Sequence, residues 1–291
     1  MFAQFLQYLF SGVTVGAAYA LAALGFTIIY NTSSVINFAQ GEFIMLGGML
    51  SAALLSAGVP LPLAIAIAIV ATGIVGLIVE KLAIEPAKNA EVVTLIIITI
   101  GASLTLRGLV QVWLGKGNHA LPAFSGETPI HLLGATLMPQ SLWVLGVAMA
   151  IVAILAWFFG RTVLGKAMLA TSYNKLAAQL VGINTRVILL LSFGLSAVLG
   201  AVGGIILAPI TYTSYDIGIM LGLKGFVAAV LGGLGGGLGA VAGGLILGIC
   251  ESMAAGYISS AYKDAVPFVL ILLILFFKPG GLFGAKIAER V

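Results

Sequence analysis

Between Met1 and Val79 a single side chain, Glu42, carries a charge. A water-soluble domain carries charge on about a quarter of its residues, so a stretch this bare requires lipid as its solvent. The scarcity continues to the end of the chain, where charged residues make up 8% and hydrophobic ones 61%, with a mean hydropathy of +1.21. About 20 apolar residues cross a bilayer as a helix. That rule predicts spans near 5–30, 41–57, 61–80, 92–114, 141–160, 187–208, 222–234, 240–258 and 264–277, the seventh of them short. The expected fold is therefore an all-α polytopic membrane helix bundle with 8–9 transmembrane segments, forming one domain over residues 1–291. Residues 31–41 and 232–239 read either as loops or as breaks within the membrane, because irregular backbone at membrane depth is tolerated where it faces a polar path. Ala18-Tyr19-Ala20 resembles a signal cleavage site, but no basic residue precedes it, so 5–30 reads as a retained span.

The basic residues orient the bundle. Nine of the thirteen Lys and Arg fall at 80–91, 161–186 and 278–290, the clustering that marks cytoplasmic segments rather than a nucleic-acid surface. The connections 115–140 and 209–221 are then external, with the N-terminus outside and the C-terminus inside. Within the island 161–186, Leu169, Tyr173, Leu176, Leu180 and Ile183 follow i, i+4, i+7, i+11, i+14 spacing, while Thr171, Asn174, Lys175 and Gln179 lie on other faces. This predicts one amphipathic helix. It either lies on lipid headgroups or docks in a groove of a cytoplasmic partner.

Few polar side chains interrupt the apolar runs. Glu42 follows Asn37-Phe38-Ala39-Gln40-Gly41, and a charge at mid-helix costs about 2.5–3.5 kcal/mol on insertion scales. The segment reads either as the interfacial mouth of the second span or as the lining of a path that includes Asn37, Gln40 and Glu42. Gly235, Gly236 and Gly237 form a poor helix interior at about 1 kcal/mol each relative to alanine, and join the candidate path as a hinge. Arg107 and Glu251 have opposite charge within apolar segments and are expected to form an intramembrane ion pair. Asp216 and Lys224 are expected to flank an external connection. Small residues recur every four positions at Gly232, Gly236, Ala240, Gly244 and Gly248, at Ser196, Gly200, Gly204 and Ala208, and at Gly12, Gly16 and Ala20; such stripes let helices approach closely.

Enzyme chemistry finds no footing. Gly160 to Ala167 mimics a phosphate-binding loop, yet Ala167 stands where the magnesium-holding hydroxyl belongs, and no strand precedes it. His119 and His131 lack helical metal-ligand spacing. The lone Cys250 excludes an internal disulfide and a cysteine metal cluster. Catalytic, cofactor and metal residues are thus not expected in this chain.

Several segments, in order along nearly the whole chain, resemble the LivH-type permeases of branched-chain amino-acid ABC importers. They are Val35 to Phe43, Arg161 to Ala167 with Asn174 and Gly182-Ile183-Asn184, Phe193 to Ala197, Gly222 to Phe226, and Phe277 to Gly284. The resemblance implies a permease in a bacterial cytoplasmic (inner) membrane. It pairs there with a related second permease, as a heterodimer rather than a homodimer, and works with two cytoplasmic ATPases that use ATP and Mg and with an external substrate-binding protein. The loop at 161–186 then becomes the coupling helix, with Leu169, Tyr173, Leu176 and Leu180 as its docking face and Lys166 and Lys175 at the rim. Branched-chain amino acids lead as cargo, with urea or amides as relatives' alternatives. An autonomous secondary transporter or channel, using Glu42 and Glu251 as loading carboxylates, is the competing reading.

Overall fold

The structure is a computed structural model that describes residues 1–88, 90–126, 128–132 and 134–284. Lys286 and Arg290 of the third basic cluster lie outside the described residues. The chain folds as α1 (Phe2–Ser33), α2 (Gln40–Ser56), α3 (Leu61–Val79), α4 (Val92–Leu114), the hairpin β1 (Ile130–Leu132) and β2 (Ala135–Leu137), α5 (Pro139–Arg161), α6 (Val163–Tyr173), α7 (Lys175–Leu180), α8 (Thr185–Thr211), α9 (Ile217–Gly232), α10 (Gly237–Tyr257) and α11 (Val266–Phe277). Each of the nine expected apolar runs is a helix. Seven are long and apolar enough to cross a membrane, among the described residues, α11 only together with the 3-10 turn Ser260–Ala265 that precedes it, whereas α2 and α9 stop at 17 and 16 residues.

The centre is built on small residues. Gly12 and Gly16 of α1 face Gly244 and Gly248 of α10 so closely that a Cβ on Gly12 would lie 2.7 Å from the Cα of Ile249. Gly200 and Gly204 of α8 face α2 in the same way, and a Cβ on Gly200 would come within 2.8 Å of the Phe43 Cβ. Lipid supplies no hydrophobic drive between helices, so this close dispersion contact is what holds the bundle. The stripe expected to run from Gly232 through Gly236 to Ala240 is broken, because α9 ends at Gly232 and α10 starts at Gly237. On the periphery, α4 and α11 leave apolar side chains such as Trp113 and Phe276 exposed, as a lipid-facing surface would.

The connections sort to two ends. Gln7 donates to the Thr136 carbonyl (2.9 Å) and accepts from the Thr136 amide (2.7 Å), which ties the start of α1 to the hairpin. His119 and Thr213 exchange backbone hydrogen bonds of 2.8 Å, bringing the 209–221 connection to the same end. At the opposite end lie the α6–α7 segment and the irregular turns that follow α3, which pack on α8 near Arg186. Residues 278–284 fold back there as well. The amides of Leu282 and Phe283 donate to the carbonyls of Leu231 (2.8 Å) and Gly232 (3.2 Å), satisfying acceptors that the end of α9 would otherwise orphan.

Candidate functional site

α1 stops at Ser34, whose φ of 59° is left-handed, and the chain turns back into the bundle before α2 begins. The amide of Phe38 donates to Thr99 Oγ1 (3.2 Å), seven residues into α4, and Gln40 Nε2 donates to the Ser196 carbonyl (3.2 Å), eleven residues into α8. At a rise of about 1.5 Å per residue those anchors lie roughly 10–16 Å inside the bundle. Of the two readings of 31–41, loop or internal break, the hydrogen bonds favour a break inside the bundle. The start of α9 meets it there, since a Cβ on Gly222 would lie 2.9 Å from the Cα of Gly41, and one on Gly41 would collide with the Gly218 carbonyl. Two short helices thus bring their N-terminal ends together, each with the positive end of its dipole, while the amides of Gln40, Glu42, Ile217 and Ile219 are bonded within their own turns.

Polar side chains gather at this junction. Glu42 is 1% exposed; its Oε1 accepts from Ser103 Oγ at 2.7 Å, while its Oε2 has no hydrogen-bond partner. Asn37 is equally buried, with Oδ1 accepting from the Ala39 amide (3.0 Å) and Nδ2 unpartnered. A cavity of about 180 Å³ opens between α2, α4 and α9, lined by Glu42, Ser103 and Arg107 together with apolar side chains. Gln40 has a different place: both ends of its amide bond Ser196, making it a tether between α2 and α8.

The expected Arg107–Glu251 ion pair is not formed. Glu251 pairs with Lys224 Nζ at 2.7 Å and accepts from the Tyr19 hydroxyl at 2.9 Å, and Lys224 also reaches Asp264 at 2.7 Å. The cause is packing order: α10 rests on α1 and α9, whereas α4 rests on α2. Lys224 is consequently a buried cation rather than the flank of a connection. Asp216 does flank one, accepting from Ser214 Oγ at 2.6 Å.

Gly235, Gly236 and Gly237 lie apart from Asn37, Gln40 and Glu42. They make the turn between α9 and α10, where Gly233 (φ 97°) and Gly235 (φ 101°) adopt a conformation that side chains resist. Asn31 Nδ2 holds this turn through the Gly235 carbonyl at 3.0 Å. Gly235 and Gly237 line a second, mostly apolar cavity of about 280 Å³, which Leu24, Phe159, Met168 and Leu169 share.

The island at 161–186 is two helices, not one. Three side-chain caps divide it: Thr162 Oγ1 accepts from the Gly165 amide (3.0 Å), Asn174 Oδ1 from Ala177 (2.9 Å), and Asn184 Oδ1 from Arg186 (3.2 Å). Each cap satisfies an amide at a helix start. Gly165, Met168, Thr171 and Ala178 turn inward. Tyr173, Leu176 and Leu180 project with 88%, 69% and 80% of their surface exposed, and Lys166 and Lys175 are exposed beside them. Leu169, expected on the same face, is less exposed, at 37%, and also lines the cavity beneath α6.

The family described as branched-chain amino acid transport system, permease component, matches residues 8–275. The high-affinity branched-chain amino acid transport system permease protein LivH of Escherichia coli (strain K12) is 36% identical, over 100% of this chain and 99% of its own length. Its counterpart BraD of Pseudomonas aeruginosa is 33% identical, over 99% and 98%. The autoinducer 2 import system permease protein LsrC of Escherichia coli (strain K12 / DH10B) is 30% identical, over 87% of this chain and 68% of its own. Among solved structures, PsaBC from Streptococcus pneumoniae in complex with Fab has a TM-score of 0.56 at 14% identity, covering 96% of this chain and 97% of that one, which is a likeness of fold.

Proposed function

The chain belongs to the family of permease components of branched-chain amino acid transport systems, and from that premise we propose that it is the membrane-spanning subunit of an ATP-driven importer of branched-chain or related amino acids. Its place is a bacterial cytoplasmic membrane, N-terminus outside and C-terminus inside. Beside it stand a related second permease, two cytoplasmic ATPases that bind ATP and Mg, and an external binding protein that delivers cargo. The observation that carries this reading is the α6–α7 pair. It presents Tyr173, Leu176 and Leu180 outward at the end of the bundle that also bears the basic segments 80–88 and 161–186. Exposed apolar anchors at helical spacing with a cationic rim suit a groove on a protein.

Movement of the partner ATPases reaches the path by contact. α6 packs on α5 and α1, and its Leu169 shares a cavity with the α9–α10 turn. A shift of α6 is therefore felt by α1 and α10, and through α9 by the junction with α2. Cargo is moved only if it binds the two resulting states differently. Family membership leaves cargo open, since one relative is named for autoinducer 2 import.

The test is the double variant Leu176→Asp, Leu180→Asp. Both side chains are exposed, so the bundle is expected to fold, lose its ATPases on purification and lose uptake. Full uptake by that variant would sink the coupling assignment in favour of an autonomous carrier.

A further inference from the structure

We propose that the cavity between α2, α4 and α9 is a binding site for a zwitterionic α-amino acid with an aliphatic side chain, its ammonium group taken by Glu42 and its carboxylate by Arg107. This rests on the transport reading above and adds to it a place inside the permease where cargo is recognised.

Two opposite charges in this cavity fail to meet. Glu42 and Arg107 line the same cavity of about 180 Å³, yet no N–O distance within 4 Å joins them, and Arg107 makes no ion pair or hydrogen bond among the described residues. Elsewhere in this bundle, Lys224 and Glu251 close to 2.7 Å. Opposite charges in a low-dielectric surround gain by closing, and the buried one of this pair, Glu42, is costly when left alone, whereas Arg107 is half-buried. A gap kept open between such groups has room for something that carries both charges. Glu42 meets the condition from its own side: at 1% exposure, its Oε2 has no donor, and an ammonium group supplies one.

The remainder of the lining suits the rest of the molecule. The N-terminal ends of α2 and α9 meet here and favour a carboxylate by their dipoles. Ile100, Leu104 and Leu223 supply an apolar wall for an aliphatic side chain. The volume of about 180 Å³ falls below the roughly 300–1,000 Å³ typical of pockets for drug-sized ligands, so a single small molecule is the fitting occupant. Such a site separates an amino acid from its amide. The amide keeps the ammonium group but brings a neutral head to Arg107.

The experiment uses the intact assembly, purified through this chain from its native membrane into nanodiscs without the external binding protein, and measures binding of tritiated leucine. Unlabelled leucine, leucine amide and 4-methylpentanoate compete in turn. Leucine is expected to displace the label at least about tenfold more effectively than either analogue, the factor that one charged hydrogen bond represents. Arg107→Gln is expected to erase the preference over the amide, Glu42→Gln the preference over 4-methylpentanoate, and Arg107→Lys to restore part of the first. The competition on the unaltered assembly stands even where a variant fails to fold. Equal potency of the three competitors would overturn the proposal, as would an assembly that retains its ATPases but shows no saturable leucine binding. Saturable, analogue-discriminating binding by a chain that retains no ATPase would uphold the site and sink the importer reading instead.

Discussion

α2 and α9 bury their first residues in one another, with Gly41 against Gly218 and Gly222, whereas α6 and α7 hold their small residues inward and turn Tyr173, Leu176 and Leu180 out. Both pairs are short, and neither is stable on its own account, since helices this brief depend on what they pack against. The difference lies in where the unmet demand remains. At the α2–α9 junction it is polar and internal, in the form of Glu42 Oε2 and Asn37 Nδ2 without partners. On α6 and α7 it is apolar and external. A buried polar demand points to a small ligand that enters, and an exposed apolar one to a macromolecule that covers.

That contrast can be broken most severely at Gly41. Replacement by valine would drive side-chain atoms into the backbone carbonyl of Gly218, which cannot swing aside as a side chain can. The cost is expected at or above the upper end of the roughly 1–3 kcal/mol of ordinary overpacking. Size-exclusion chromatography in detergent should show little monodisperse protein, and a normal yield would mean that the two helix starts are not in contact. A second, intermediate effect separates satisfied from unsatisfied charge. Glu251→Gln leaves Lys224 with Asp264 alone and should lower stability by about 1.5–3 kcal/mol, the worth of a hydrogen bond to a charged group, below the full cost of an uncompensated buried charge. Lys224→Met combined with Glu251→Gln should recover much of it, and an additive double variant would refute the pairing. The smallest effect is at the outward pair. Asn174→Ala removes the cap of α7 at about 1 kcal/mol, and is expected to speed hydrogen exchange at the Ala177 amide while leaving the melting of the bundle unchanged.

How much of this was legible in the sequence differed by scale. The apolar runs announced their helices because a bilayer demands length and hydrophobicity and little else. The stripe Gly12, Gly16, Ala20 and the stripe Gly244, Gly248 were visible singly, but only the fold shows that they face each other. Periodicity ran unbroken from Leu169 to Leu180 and so concealed the division at Asn174. The signal present was Asn174 itself, a residue that caps helices more readily than it continues them. The assignment of Arg107 to Glu251 failed for a plainer reason: charge is read along the chain, but pairing depends on which helices touch. Lys224 was overlooked as the partner because Asp216, eight residues before it, suggested a solvent-exposed connection.

Lys224 also bears on how the molecule is made. It leaves the ribosome 27 residues ahead of Glu251 and 40 ahead of Asp264. During that interval its ammonium is uncompensated, at about 2.5–3.5 kcal/mol near a helix centre, on a helix of 16 residues where about 20 are needed to reach across. Acting alone, α9 is a poor substrate for the insertion machinery. With α10 following through the tight glycine turn, its charge is neutralised and Gly232 seats against Gly239. Integration of this region as a hairpin is therefore the expected route, with the acidic residues downstream offsetting the charge of the preceding helix.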